Sequence, residues 1–155
     1  MKALVDLLIE KNLSISTCES FTAGLFAYEL GKIAGVSKVF KGSLIAYQSE
    51  IKESILGIDQ TDIDRFGVIS EEIAIQMAIA GQRLFNSDVC VSFTGNAGPN
   101  AMEGKPSGLW YASIRYYGEI INFTFQNSMD RTDLQIYAVE LICDKLLERL
   151  RDMPK

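Results

Sequence analysis

Thr17-Cys18-Glu19-Ser20-Phe21-Thr22-Ala23-Gly24 is the stretch on which the fold turns. Leu13, Ile15 and Thr17 alternate with Ser14 and Ser16 just before and through its start, which is the period of a strand over residues 13–17. A helical pattern follows over about 22–30 and stops at Gly31. Glu19 and Ser20 therefore fall on a strand-to-helix turn, where free backbone N–H groups and the positive end of a helix dipole are available. A serine in that place serves as a helix cap, a common role for the residue type. It can also serve as a nucleophile whose developing charge the helix end stabilises, although the cap is the commoner role. Position alone leaves both readings open.

Upstream, Leu4, Leu7 and Leu8 share one helical face over residues 1–11, with Asp6 and Glu10 away from it and Asn12 as the stop. Downstream, residues 39–48 read as a strand and 50–56 as a short helix capped by Ser49. Residues 59–66 read as another short helix ended by Gly67. Ser70, followed by Glu71 and Glu72, caps a helix running to about Phe85. A buried strand over 88–93 feeds Thr94-Gly95-Asn96-Ala97-Gly98-Pro99, which opens an irregular segment over 95–107. Residues 109–117 and 119–126 form a hairpin around Gly118, and 130–151 is the longest helix. Strands interleaved with helices, plus one late hairpin, predict a layered α/β/α domain with a mixed, mostly parallel sheet, and a single domain over 1–155.

Composition narrows the chemistry. A 155-residue chain with 48% hydrophobic residues is long enough to bury a core. Its net charge of -5 argues against a general nucleic-acid binder. No apolar run is long enough to span a membrane. Three widely spaced cysteines without a CxxC fit reduced thiols in a cytoplasm. Histidine is absent, which removes Ser-His-Asp and Cys-His catalysis and the usual catalytic zinc sites. No metal or cofactor is expected. A nucleophilic Ser would need Lys, Tyr or a carboxylate as its proton acceptor.

Two further stretches offer such groups. Tyr47-Gln48-Ser49-Glu50-Ile51-Lys52 begins at a strand end and enters a helix. A lysine in the first turn is repelled by the dipole, which with partial burial favours the neutral base. The bland reading is a solvated Lys beside Glu53 and a packing Tyr. The glycines of residues 94–99 can expose N–H groups to an anion, or they form an ordinary tight loop. Together the three loops supply Ser, Tyr plus Lys, and backbone donors. In a parallel-type sheet the strand ends can meet at one crevice and form a His-free acyl-transfer site.

The chain resembles the C-terminal domain of the CinA family over nearly its whole length. The resemblance rests on Cys18 to Gly24, Gly42-Ser43-Leu44-Ile45-Ala46-Tyr47 through Lys52, Gly67-Val68-Ile69-Ser70-Glu71-Glu72-Ile73-Ala74, Thr94 to Pro99, Lys105-Pro106-Ser107-Gly108 and Asp130-Arg131, in family order. The family's N-terminal molybdopterin-binding-like domain is not part of it. The resemblance implies hydrolysis of the carboxamide of nicotinamide mononucleotide to nicotinate mononucleotide and ammonia. It implies Ser20 as nucleophile and Tyr47 and Lys52 as proton-transfer groups. Glu19, Thr22, Gly24, Thr94, Gly95, Asn96, Ala97, Gly98 and Lys105 are the expected substrate contacts. Glu19 could instead orient Lys52. A homo-oligomer and a role in pyridine-nucleotide salvage are also implied.

Three positions depart from the family pattern. Asn100-Ala101-Met102-Glu103 stands where a run of glycines is usual, Asn96 where an apolar residue is usual, and Ala23 where Gly is common. Two other functions stay in view: a catalytically silent nucleotide-binding or interaction domain, and an amidase for another amide.

Overall fold

The computed structural model describes residues 1–152; the last three residues of the expected domain lie outside the described region. The elements run α1 (Lys2–Glu10), β1 (Ile15–Glu19), α2 (Leu25–Gly31), β2 (Phe40–Ile45), α3 (Ser49–Ser54), α4 (Gln60–Phe66), α5 (Glu71–Phe85), β3 (Val89–Gly95), β4 (Leu109–Tyr116), β5 (Glu119–Gln126) and α6 (Arg131–Arg151). One five-stranded sheet has the order β2-β1-β3-β4-β5. The β1 strand pairs in parallel with both β2 and β3, whereas β4 runs antiparallel to β3 and to β5. Only β4 therefore opposes the common direction, as the mixed, mostly parallel expectation requires.

The interior position of β1, between β2 and β3, explains its composition. All five of its residues are buried. Alternate side chains serve different layers. Ile15 joins Val89, Val91 and Phe93 against α1, α2 and α6. Cys18 joins Cys90 in the second layer, against Ile73 and Met77 of α5. Gly81 lets α5 lie close there, because a Cβ at that position would press on the sulfurs of both cysteines. The Trp110 indole belongs to the first layer. It stacks on Phe125 at 4.7 Å between centroids and donates Nε1–H to Asn127 at 2.8 Å.

Several element boundaries differ from the sequence reading. The second helix begins at Leu25 and not near Thr22, because Ala23 and Gly24 take positive φ of 51° and 92°. Glycine adopts that backbone freely and alanine does so at a cost. The usual Gly at residue 23 thus has a geometric reason. Ser20 is not a cap. The N-cap is Gly24, which has no side chain for the task. Similarly, α3 starts at Ser49 with Gln48 as its N-cap, so Ser49 lies inside the first turn. Its strand ends at Ile45, leaving Ala46 and Tyr47 in the connecting segment. The Ser70 cap stands as expected, its hydroxyl accepting from Ile73 N–H at 3.3 Å. The β3 strand reaches Gly95, so Thr94 and Gly95 are ladder residues facing Tyr111 and Trp110.

Candidate functional site

Ser20 follows β1 directly, and its N–H donates to the Phe93 carbonyl of β3 at 3.0 Å. That bond continues the ladder one residue beyond the strand and fixes where the turn begins. The turn closes with Ala23 N–H on the Ser20 carbonyl at 3.0 Å. From the far side, Gln135 of α6 donates to the Phe21 carbonyl at 2.7 Å. The Ser20 side chain is thus held at the end of β1, an interior strand, with 8% of the residue exposed.

Lys52 is the partner. Its residue is wholly buried, and Nζ lies 3.1 Å from Ser20 Oγ, 2.6 Å from the Ala46 carbonyl and 3.3 Å from the Tyr47 carbonyl. Desolvation lowers the Lys52 pKa to about 8, opposed by the Glu103 carboxylate, which raises it. Burial disfavours the ammonium, whereas the nearby negative charge favours it. The helix dipole does not repel the ammonium as the sequence predicts, because Lys52 lies in the last turn of a six-residue helix. Burial does that work. A neutral amine has two N–H donors and one lone pair. With both donors on the two carbonyls, the lone pair is left for the Ser20 hydroxyl.

Glu19 has a different task from those expected of it. Its Oε1 accepts from Thr22 Oγ1 at 2.8 Å and from Phe26 N–H at 2.9 Å, and its Oε2 accepts from Ala27 N–H at 3.1 Å. The buried carboxylate thereby takes the second and third N–H groups of α2, the task an N-cap side chain performs elsewhere. The structure does not bring it to Lys52.

Ser20, Phe21, Tyr47, Val68, Ile69, Thr94, Gly95, Asn96, Ala97, Met102 and Arg131 enclose a cavity of about 80 Å³. The expected Ser20, Tyr47, Thr94, Gly95, Asn96 and Ala97 meet there. Thr22 and Gly24 instead line a separate groove between α2 and α6. The Asn96 side chain braces its own loop: Oδ1 accepts Gly98 N–H at 2.9 Å and Nδ2 donates to the Asn100 carbonyl at 2.8 Å. This accounts for a polar residue at that position. Thr94 Oγ1 donates to the Val68 carbonyl at 2.6 Å, holding the segment before α5 against β3. Lys105 is engaged with protein groups, donating to the Phe66 carbonyl at 2.9 Å and to the Ile69 carbonyl, with Glu103 at 3.8 Å.

Arg131 is the residue that the sequence reading left without a role. Its guanidinium donates to the Tyr47 hydroxyl at 2.6 Å and to the Gly98 carbonyl at 2.7 Å. Among the described residues it is the one cationic side chain lining the cavity. With Gln135 one turn further on, it lets the start of α6 hold the loops after β1, β2 and β3 together. The available signal was the polar pair Arg131 and Gln135 at i, i+4 at the start of an amphipathic helix.

Fold and site define an α/β domain that sets a buried Ser–Lys pair at the ends of adjacent parallel strands, in a chain without histidine. The chain belongs to the CinA C-terminal domain family, whose model matches residues 1–150. A Listeria innocua protein whose name includes "competence-damage inducible protein" is 42% identical over 135 residues, covering 86% of this chain and 32% of that protein. A Bacillus subtilis protein of the same description is 38% identical over 143 residues, covering 91% and 34%. The chain thus spans about a third of the length of these relatives. Among solved structures, a competence or damage-inducible protein from Enterobacter asburiae superposes with a TM-score of 0.94 at 27% identity, over 96% of this chain and 94% of that one. A CinA superfamily protein from Escherichia coli gives 0.92 at 26%, over 94% and 86%.

Proposed function

We propose that this domain hydrolyses a carboxamide through an acyl-enzyme on Ser20, with nicotinamide mononucleotide as the first substrate to test. The observation that carries the reading is the 3.1 Å approach of a buried Lys52 Nζ to Ser20 Oγ. A lysine amine at the surface is protonated at neutral pH. One with its pKa lowered to about 8 has a usable neutral fraction.

In this mechanism Ser20 Oγ attacks the carboxamide carbon as its proton passes to Lys52 Nζ. The carbonyl oxygen becomes an oxyanion. The N–H groups of Phe21 and Ala97 are available to it: both residues line the cavity, and neither donates to a protein acceptor among the described residues. Protonated Lys52 returns the proton to the departing nitrogen, and ammonia leaves. Water then attacks the ester, giving up a proton to Lys52, and the acid is released with Ser20 restored. Tyr47 is assigned to the leaving-group side, where its phenol is oriented by Arg131. Arg131 also offers a charge to an anionic substrate group.

An amide without a phosphate is a second reading, favoured by a specific feature. The outer groove beside the cavity carries Glu50, Glu53 and Glu103 and, among the described residues, no lysine or arginine. Its field disfavours a phosphate.

The deciding assay is ammonia release from nicotinamide mononucleotide and from free nicotinamide, by the wild-type chain and by Ser20→Ala. Turnover that vanishes with Ser20 supports the mechanism, and turnover that survives removes Ser20 as nucleophile. A folded wild-type protein inert to both amides favours the silent-domain alternative or an amidase for another amide.

A further inference from the structure

The space that holds the nucleophile and the space that could hold a ligand are separate. The cavity at Ser20 measures about 80 Å³. That is a few waters at about 30 Å³ each, well below the roughly 300–1,000 Å³ of ordinary ligand pockets. Next to it lies an open groove of about 660 Å³, lined by residues that include Gln48, Glu50 and Gln60. Tyr47, Val68 and Met102 line both spaces and so form the partition between them.

The partition is tied down around Met102. Glu103 Oε1 accepts from Val68 N–H at 3.1 Å, and Oε2 accepts from Ile69 N–H at 3.2 Å. Lys105 Nζ donates to the Phe66 and Ile69 carbonyls. Met102 and Lys105 exchange backbone hydrogen bonds of 3.0 and 2.9 Å, closing a turn with Glu103 and Gly104 at positive φ. Two adjoining charges of opposite sign thus clasp both backbone edges of residues 66–69. Met102 sits at the start of that clasp, 47% exposed and lining both spaces. Glycines could neither supply the carboxylate nor fill the wall.

We propose that Met102, held in place by the Glu103–Lys105 clasp, is a specificity-determining residue that limits the bulk of the acyl group reaching Ser20. This deepens the amidase reading and rests on Ser20 as the nucleophile. A slim primary carboxamide passes into the cavity while the remainder of its carrier lies in the groove. A group wider than the single flat ring of a nicotinamide, placed at the reacting carbon, meets the thioether. One methylene of misfit in a confined site is worth about 10-fold or more in selectivity.

The test uses sulfonyl fluorides, which sulfonylate a nucleophilic serine with loss of fluoride and so need no knowledge of the natural amide. Rates of Ser20 modification by methanesulfonyl fluoride and by a naphthylsulfonyl fluoride are followed by peptide mass spectrometry. The full chain is compared with Met102→Ala, Met102→Phe and Glu103→Gln. The ratio of bulky to small reagent rates should rise about tenfold in Met102→Ala, rise in Glu103→Gln as the clasp loosens, and fall in Met102→Phe. Labelled Ser20 with the same ratio in wild type and both Met102 variants overturns the specificity role and leaves the nucleophile standing. A folded wild type unlabelled by either reagent overturns the nucleophile, and this inference with it. Met102 is half-exposed, so its substitutions test the wall without emptying the core.

Discussion

The Arg131 guanidinium donates to the Tyr47 phenol at 2.6 Å across 84 residues of sequence, and its other arm holds the Gly98 carbonyl at 2.7 Å. One side chain thereby fixes both a phenol that lines the cavity and the turn after β3. Two groups that act through one geometry should not lose activity independently. A double-mutant cycle on Tyr47→Phe and Arg131→Gln should give a coupling of about 1–2 kcal/mol in kcat/KM. Additive losses would mean that the phenol and the guanidinium serve the reaction separately.

The Lys52 amine has a pKa near 8, lowered by burial and raised in part by Glu103. The base works only when neutral, so activity should climb between about pH 7 and 9 and level off above that. Removing the Glu103 charge removes the influence that favours the ammonium. In Glu103→Gln the rising limb should therefore move to lower pH. Rate profiles of both proteins on one amide check the direction. A shift to higher pH would mean that loss of the clasp changes Lys52 burial more than it changes the local field.

Why these relationships are hard to read from sequence follows from their span. Ser20, Tyr47 and Lys52 stand beside strand ends, and local periodicity locates strand ends. The irregular stretch after β3 was legible for the same reason. The cap of α2 was not, because positive φ at Ala23 moves the helix start three residues along and hands the task to Glu19. The Glu103 and Lys105 bonds to residues 66–69 and the Arg131 bond to Tyr47 join segments 34 to 84 residues apart. No local pattern encodes them. Lys52, set among Ser49, Glu50, Glu53 and Ser54, has the composition of an exposed helix and is nevertheless wholly buried.

Glu19 accepts from two backbone N–H groups of α2 and from the Thr22 hydroxyl, the bonds from Phe26 and Thr22 fully buried and that from Ala27 partly so. Charge-assisted bonds of this kind contribute about 1.5–3 kcal/mol each, and buried donors left unpaired cost about 1–3 kcal/mol. Glu19→Ala should destabilise the fold by about 3 kcal/mol or more, read from urea unfolding. Glu19→Gln, which keeps one acceptor, should lose less. Hydrogen exchange should report the loss first at Phe26 and Ala27. If those amides stay protected in Glu19→Ala, the helix start is held by packing against α6 and not by the carboxylate.

The burial that makes Lys52 a base should also appear as a cost to the fold. Its pKa is about 8 in the native chain against 10.5 for an ordinary lysine. Between those values the unfolded chain binds the proton and the folded chain does not. Raising the pH through this window removes the unfolded chain's advantage, so wild-type stability should rise by up to about 3 kcal/mol from this group. Below about pH 8 both states are protonated and the full cost is present. Lys52→Met has no titrating group there, and all other ionisations are common to both proteins. The unfolding free energy of wild type minus that of Lys52→Met should therefore move in favour of wild type between about pH 7.5 and 10. Urea titrations at the two pH values measure it. A difference that does not change with pH would mean that Lys52 titrates alike in both states, which would remove the physical basis for its role as a base.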